Sequence, residues 1–160
     1  FRRFGWRHRV LADALIATDV VELADRAVDE LSGGQRQRVW IAMALAQRTG
    51  VLLLDEPTTY LDVSHQVEVL DLLIDLNRQR GTTIVMVLHD LNLAARYADH
   101  LVAVAGGKVY AEGTAEGVLT REMVRAVFGV RAGIVRDEVS LRPMRLPSGR
   151  QGVRTEQPLE

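Results

Sequence analysis

Two short apolar runs constrain this chain more than anything else in it: VLLL at residues 51–54 and TTIVMVL at residues 82–88. Neither is long enough to cross a bilayer. Runs of this length fit strands buried on both faces, as in a parallel sheet. Between them, residues 64–80 place Val67, Leu70, Leu73, Ile74 and Asn77 in helical register, and Gly81 stops the helix. Asp90 then caps a further helix through about residue 98. Strand, helix, strand, helix at this spacing predicts an α/β fold with an open parallel sheet.

The flanks are read in the same way. Residues 7–18 put Val10, Leu11, Ala14 and Leu15 on one helical face, and VVELADR after Asp19 reads as a shorter helical stretch. RQRVWIAMALAQ spaces Val39, Ala42, Leu45 and Ala46 as one helix face until Thr49 and Gly50 break it. LVAVA, Gly106-Gly107 and KVYAE predict a β-hairpin with a two-residue turn. Residues 120–128 form a last short helix, and the polar stretch 147–160 is expected to be disordered.

Composition excludes several classes. A net charge of −1 gives no global reason to expect nucleic acid, and zero cysteines exclude disulfides and thiolate chemistry. Phe1 opens the chain without a signal-peptide pattern, and the first methionine is Met43, so an upstream part is expected. Of the 20 basic residues only Lys108 is a lysine.

The chemistry-bearing residues fall in three places. In LSGGQ (31–35), Ser32 and Gln35 suit a capping box, which accounts for both without any ligand. It leaves Gly33 and Gly34 unexplained, each costing roughly 1 kcal/mol relative to alanine in a helix. Glycines there also let a phosphate approach the helix N-terminus. VLLLDEP delivers Asp55 and Glu56 to the C-terminal edge of a strand, where open α/β sheets bind ligands. The aspartate suits a Mg²⁺ held through water, and the glutamate suits deprotonation of an attacking water; two solvated loop acids are the alternative. His89 ends the second strand at the corresponding edge, as a structural residue or a phosphate contact. Asp62, after TTYL, is a helix cap unless its context says otherwise. His8, His65 and His100 show no metal-ligand spacing.

LSGGQ, VLLLDEP, YLD and a strand ending in LHD, in that order, resemble the ATP-binding cassette (ABC) ATPases over roughly residues 1–129. Within that family, DVSHQVEVLDLLIDLNRQRGTTIVMVLHDLNLAARYADHLVAV and GKVYAEGTAEGVLTREMVRAVFGV look like the importers of iron–siderophore complexes, a group that includes haem and cobalamin importers. The resemblance implies the C-terminal part of a P-loop NTPase core with part of the helical subdomain and a C-terminal β-hairpin. It divides the chain into a helical subdomain (1–48), the end of the nucleotide-binding core (49–130), a C-terminal extension (131–146) and the tail.

It also implies ATP and Mg²⁺ as cofactors, and a second nucleotide-binding domain that faces this one head to tail. Ser32, Gly33, Gly34 and Gln35 would contact ATP held by that partner. Asp55 would hold Mg²⁺ through water, and Glu56 would act on the attacking water. His89 would contact the γ-phosphate, and Asp62 would couple the two sites. Transmembrane permease subunits would hold the protein at the cytoplasmic face of the membrane. The segment FRRFGWRHR, with Arg2, Arg3, Arg7 and Arg9 among aromatics, would lie near their docking groove rather than against nucleic acid.

One family element is missing. A P-loop needs GxxxxGK before Ser or Thr, and Lys108 has Val102 and Val109 at the required positions. The chain alone is therefore expected to be inactive, with TTIVMVL left as an unprotected sheet edge. A soluble repair or translation ATPase is disfavoured, because no coiled-coil insertion lies between Gln35 and His89. A cassette acting only through an intact partner is the non-catalytic alternative.

Overall fold

The computed structural model describes the backbone of residues 2–148 and the side chains of residues 9–148. The chain divides into two compact units, one ending at Leu88 and the other starting at His89. The first unit carries α1 (Arg2–Ala17), α2 (Gly33–Leu45), β1 (Val51–Asp55), α3 (Val63–Arg80) and β2 (Thr83–Val87). The stretch VVELADR is not a helix; it forms a single 3₁₀ turn at Val21–Leu23. Its Val20 and Leu23 are drawn into a core with Ala14, Leu31 and Ala42, and that packing overrides the local helical pattern. On α1, Val10 and Ala14 are buried, whereas Leu11 faces solvent instead of sharing their face.

β1 and β2 pair in parallel, Val51 opposite Thr83 through Asp55 opposite Val87, joined by the α3 crossover. Val69, Leu70, Leu73 and Leu76 of α3 are buried, and the helix packs against β2. The expected burial of both strand faces does not hold. Leu52 is buried and Ile84 and Met86 half-buried on one face, but Leu53 is 73% exposed, with Val51, Val85 and Val87 exposed beside it. One helix can cover only one face of a strand pair, and within this unit none of the described residues covers the other. Among the described residues each strand pairs on one side only, which leaves β2 an edge.

The second unit contains α4 (Leu91–Tyr97), β3 (Leu101–Ala105), β4 (Lys108–Gly113), α5 (Ala115–Val118), α6 (Arg121–Phe128), β5 (Ala132–Arg136) and β6 (Pro143–Pro147). β3 and β4 form the expected hairpin, and Gly106 and Gly107 turn it with φ of 56° and 73°. Two consecutive positive φ values define the type I′ turn that matches strand twist, and glycine adopts them without strain. Ala95, Ala115, Val118, Leu119, Met123, Val124 and Ala132 make this unit's core.

Residues 132–147 hold a second antiparallel hairpin, β5–β6, that sequence periodicity does not reveal. Asn92 of α4 ties it down: its side-chain oxygen accepts from the Arg145 amide at 2.7 Å, and its side-chain nitrogen donates to the Arg145 carbonyl at 3.2 Å. Pro147 therefore belongs to β6 and not to a disordered tail, and the Ser148 amide donates to the Arg131 carbonyl. The rest of that stretch lies outside the described residues, as do the side chains of Arg2, Arg3 and Arg7.

Candidate functional site

Ser32 is the N-cap of α2, and the capping box is complete. Its hydroxyl accepts from the Gln35 amide at 3.3 Å, and the Gln35 side-chain oxygen accepts from the Ser32 amide at 3.1 Å. The box uses the amides of residues 32 and 35. The first-turn N–H groups of Gly33 and Gly34 have no intrahelical acceptor, because a helix start never supplies one. Ser32 and Gly33 are exposed, and Gln35 is half-buried.

Packing supplies a reason for the glycines that the sequence alone did not. Gly34 is buried, and a methyl group added there would lie 2.6 Å from Cδ2 of His65. At Gly33 the added methyl would meet Leu61 Cδ2 at 3.3 Å, a tight contact with a side chain able to shift. The signature turn therefore abuts the loop that leads into α3.

That loop begins at the end of β1. Asp55 is exposed at the C-terminal edge of the strand, and Glu56 follows with φ of 49°. A left-handed conformation costs a non-glycine residue of order 1–2 kcal/mol. Such strain is characteristic of functional sites, and here it turns the chain sharply out of β1. The Thr59 hydroxyl donates to Glu56 Oε2 at 2.9 Å. Tyr60 also has positive φ, at 65°, and is fully exposed, while Pro57 and Thr58 anchor the loop inside.

Asp62 is the N-cap of α3, so its structural alternative is realised. Oδ1 accepts from the His65 amide at 3.0 Å, the Ser64 hydroxyl at 2.8 Å and Nδ1 of the His65 ring at 2.8 Å. These bonds, with the backbone N–H contributing most, hold its carboxyl at about 2, below the usual 3.8. Because the folded value is the lower one, this contribution to stability is complete above 3.8 and is lost as the pH falls through about 2. The Asp62 carboxyl ¹³C resonance is therefore expected to titrate near 2; a midpoint near 3.8 would remove the cap from the solution structure.

Sequence reasoning passed over His65 and Arg38. His65 had been set aside for want of metal-ligand spacing. The signal that could have found it is its position three residues after a capping aspartate, within side-chain reach. Arg38 bridges Asp19 at 3.6 Å and Glu68 at 3.1 Å, fastening α2 to α3. A cavity of about 250 Å³ beside them is lined by Ser32, Gly34, Gln35, Arg38, His65 and Glu68, among others.

The first unit thus brings Ser32 to Gln35 close to the Asp62 loop, and sets Asp55 and Glu56 at the edge of β1. His89 opens the second unit, two residues beyond the Val87 that pairs with Asp55. No group of three or more His, Asp or Glu among the described residues is arranged to hold a metal. No described helix is long and apolar enough to cross a membrane.

The chain is similar to known proteins in sequence and in fold. The family model for ABC transporters matches residues 5–59. The ferric enterobactin transport ATP-binding protein of Escherichia coli (strain K12) is 50% identical over 148 residues, covering 91% of this chain and 55% of that protein. An inward-facing structure of an ABC transporter described as metal-chelate type superposes with a TM-score of 0.80 at 32% identity, covering 89% of this chain and 57% of the other. An ATP-binding cassette solved as a dimer with ADP and Pi, in a post-hydrolysis state, superposes with a TM-score of 0.55 at 36% identity over 64% of this chain and 44% of the other. The chain spans about half the length of the curated relatives it matches. With relatives 50% or more identical over most of its length and a matching family model, the chain belongs to the ABC transporter ATPase family.

Proposed function

We propose that this chain is the signature-bearing part of an ATPase subunit that energises a membrane importer of iron–siderophore complexes. The observation that carries the reading is the joint presence, in one compact unit, of a helix start with Ser32 and Gly33 exposed and an Asp55–Glu56 pair at a strand's C-terminal edge, Glu56 at φ of 49°. The ATP-binding role of the relative named for ferric enterobactin transport, and the metal-chelate type of the matching transporter, support the substrate class.

The residues fit Mg²⁺ and ATP. Asp55 offers an exposed hard oxygen donor, and the start of α2 offers unpaired N–H groups with a favourable dipole for an anion. Mg²⁺-ATP, once bound, supplies the electrophilic γ-phosphoryl group, and its transfer to water depends on positioning and charge stabilisation. Asp55 would hold the metal through water. Glu56 would orient the attacking water and accept its proton. His89 would donate to a γ-phosphate oxygen. Ser32, Gly33, Gly34 and Gln35 would complete the site of a second cassette facing this one, and Asp62 would lie between the two sites. The P-loop itself would come from the part of the ATPase that this chain does not contain. The subdomain division at residue 48 and docking to permease subunits at the cytoplasmic face belong to the same reading.

Uptake of radiolabelled iron from a ferric siderophore tests the proposal in the source cell. Deleting the gene should abolish uptake, wild type should restore it, and Glu56→Gln should not. Uptake unaffected by the deletion would refute the substrate class.

A further inference from the structure

The contact between His65 and Gly34 links two loops that the functional reading treats separately. His65 Nδ1 lies 2.8 Å from Asp62 Oδ1, which fixes one edge of the ring to the cap of α3. The opposite side of the ring fills the space where a side chain at Gly34 would be, Cδ2 lying 2.6 Å and Cγ 3.1 Å from an ideal added Cβ. A glycine is needed there because the imidazole already occupies the site. Arg38, bonded to Glu68 one turn along α3 from His65, fastens the same two helices on the far side of the cavity.

We propose that His65 is a positioning residue: its ring, held by Asp62 and packed on Gly34, joins the YLD loop and the signature turn into one preformed surface for the nucleotide of a partner cassette. This rests on the functional reading above and adds to it a residue with no direct part in the chemistry. The physical basis is preorganisation. A signature turn fixed before the partner arrives loses less conformational freedom on association. A histidine clamp also transmits any displacement of the Asp62 loop to the first turn of α2, so both would engage or release together.

The test uses the full-length ATPase carrying this segment, with Gly34→Ala, His65→Ala, their combination, and His65→Asn. Thermal unfolding reads the contact without any nucleotide. Gly34→Ala is expected to lower Tm, and adding His65→Ala to recover a large part of that loss, because the clash is gone. Strictly additive Tm changes would overturn the clamp.

ATP hydrolysis then reads the role. His65→Ala should lower kcat about tenfold, as loss of one charge-assisted hydrogen bond implies. Affinity for ATP at the subunit's own P-loop should stay unchanged in equilibrium binding. His65→Asn, whose amide can replace Nδ1 as a donor to Asp62, should recover most of the rate. Coupled melting with an unchanged kcat would overturn the positioning role and leave a packing contact. A wild-type protein that binds no ATP would overturn the functional reading itself, whereas additive melting alongside normal hydrolysis would overturn the clamp alone.

Discussion

Glu56→Gln in the intact ATPase is expected to reduce ATP turnover about 100- to 10,000-fold, the range over which a positioned general base contributes. ATP affinity should be retained. Glutamine keeps the shape of the side chain and can still accept the hydrogen bond that Thr59 gives to Glu56 Oε2. It has no carboxylate to take a proton from water, so the loss falls on the chemical step. The backbone is consistent with the same assignment: a non-glycine residue at φ of 49° just beyond β1 is conformationally expensive. Single-turnover hydrolysis and equilibrium ATP binding, measured on the same preparation, separate the two effects. Hydrolysis at the wild-type rate would remove Glu56 from its role, whatever the resemblance implies.

The second large effect concerns residues 1–160 produced alone, which are expected to self-associate. Val51, Leu53, Val85 and Val87 form a continuous exposed apolar patch across the β1–β2 register, with a free strand edge beside it. Burying each such side chain is worth about 1.5–3 kcal/mol. Four of them outweigh part of the entropic cost of association and bring it into the micromolar range. Leu53→Lys with Val85→Lys places two like charges opposite each other on that face and should restore a monomer in sedimentation velocity. Since Leu53 is already 73% exposed, the substitutions cost little folding stability. A wild-type chain that sediments as a monomer and unfolds cooperatively would contradict the expectation. So would an association that both lysines leave intact.

The two strands show where pattern reading stops. An unbroken apolar run says that a segment can tolerate burial on both faces; it does not say that both faces are covered. Leu52 and Leu53 are the same residue type on the same strand, yet one is buried and the other exposed. The difference is the presence of α3 on one side only. Helical spacing has the same limit. The Val69 to Leu76 face of α3 is buried as its period required, but VVELADR collapsed to one 3₁₀ turn because Val20 and Leu23 were pulled into a core shared with α1 and α2. The β5–β6 hairpin is not legible in the sequence, since its strands carry Pro143, Pro147, Arg136 and Arg145, which break the apolar alternation, and Asn92 holds it from a distance of 53 residues.

Asp55, Glu56 and His89 stand as catalytic candidates through the family resemblance, whereas the residues alone carry the parallel strand–helix–strand unit, the Gly106-Gly107 turn and the capping box at Ser32 and Gln35. Each of these depends on spacing within one element or on the conformational range of one residue, which local physics controls. Packing between elements explains why Gly34 is a glycine, how the Asp62 cap also holds His65, and which face of the strand pair is left open. Those depend on which atoms meet across elements far apart in the chain. A contact between residues 34 and 65 is set by how α2 and α3 pack, and no period within either helix encodes it.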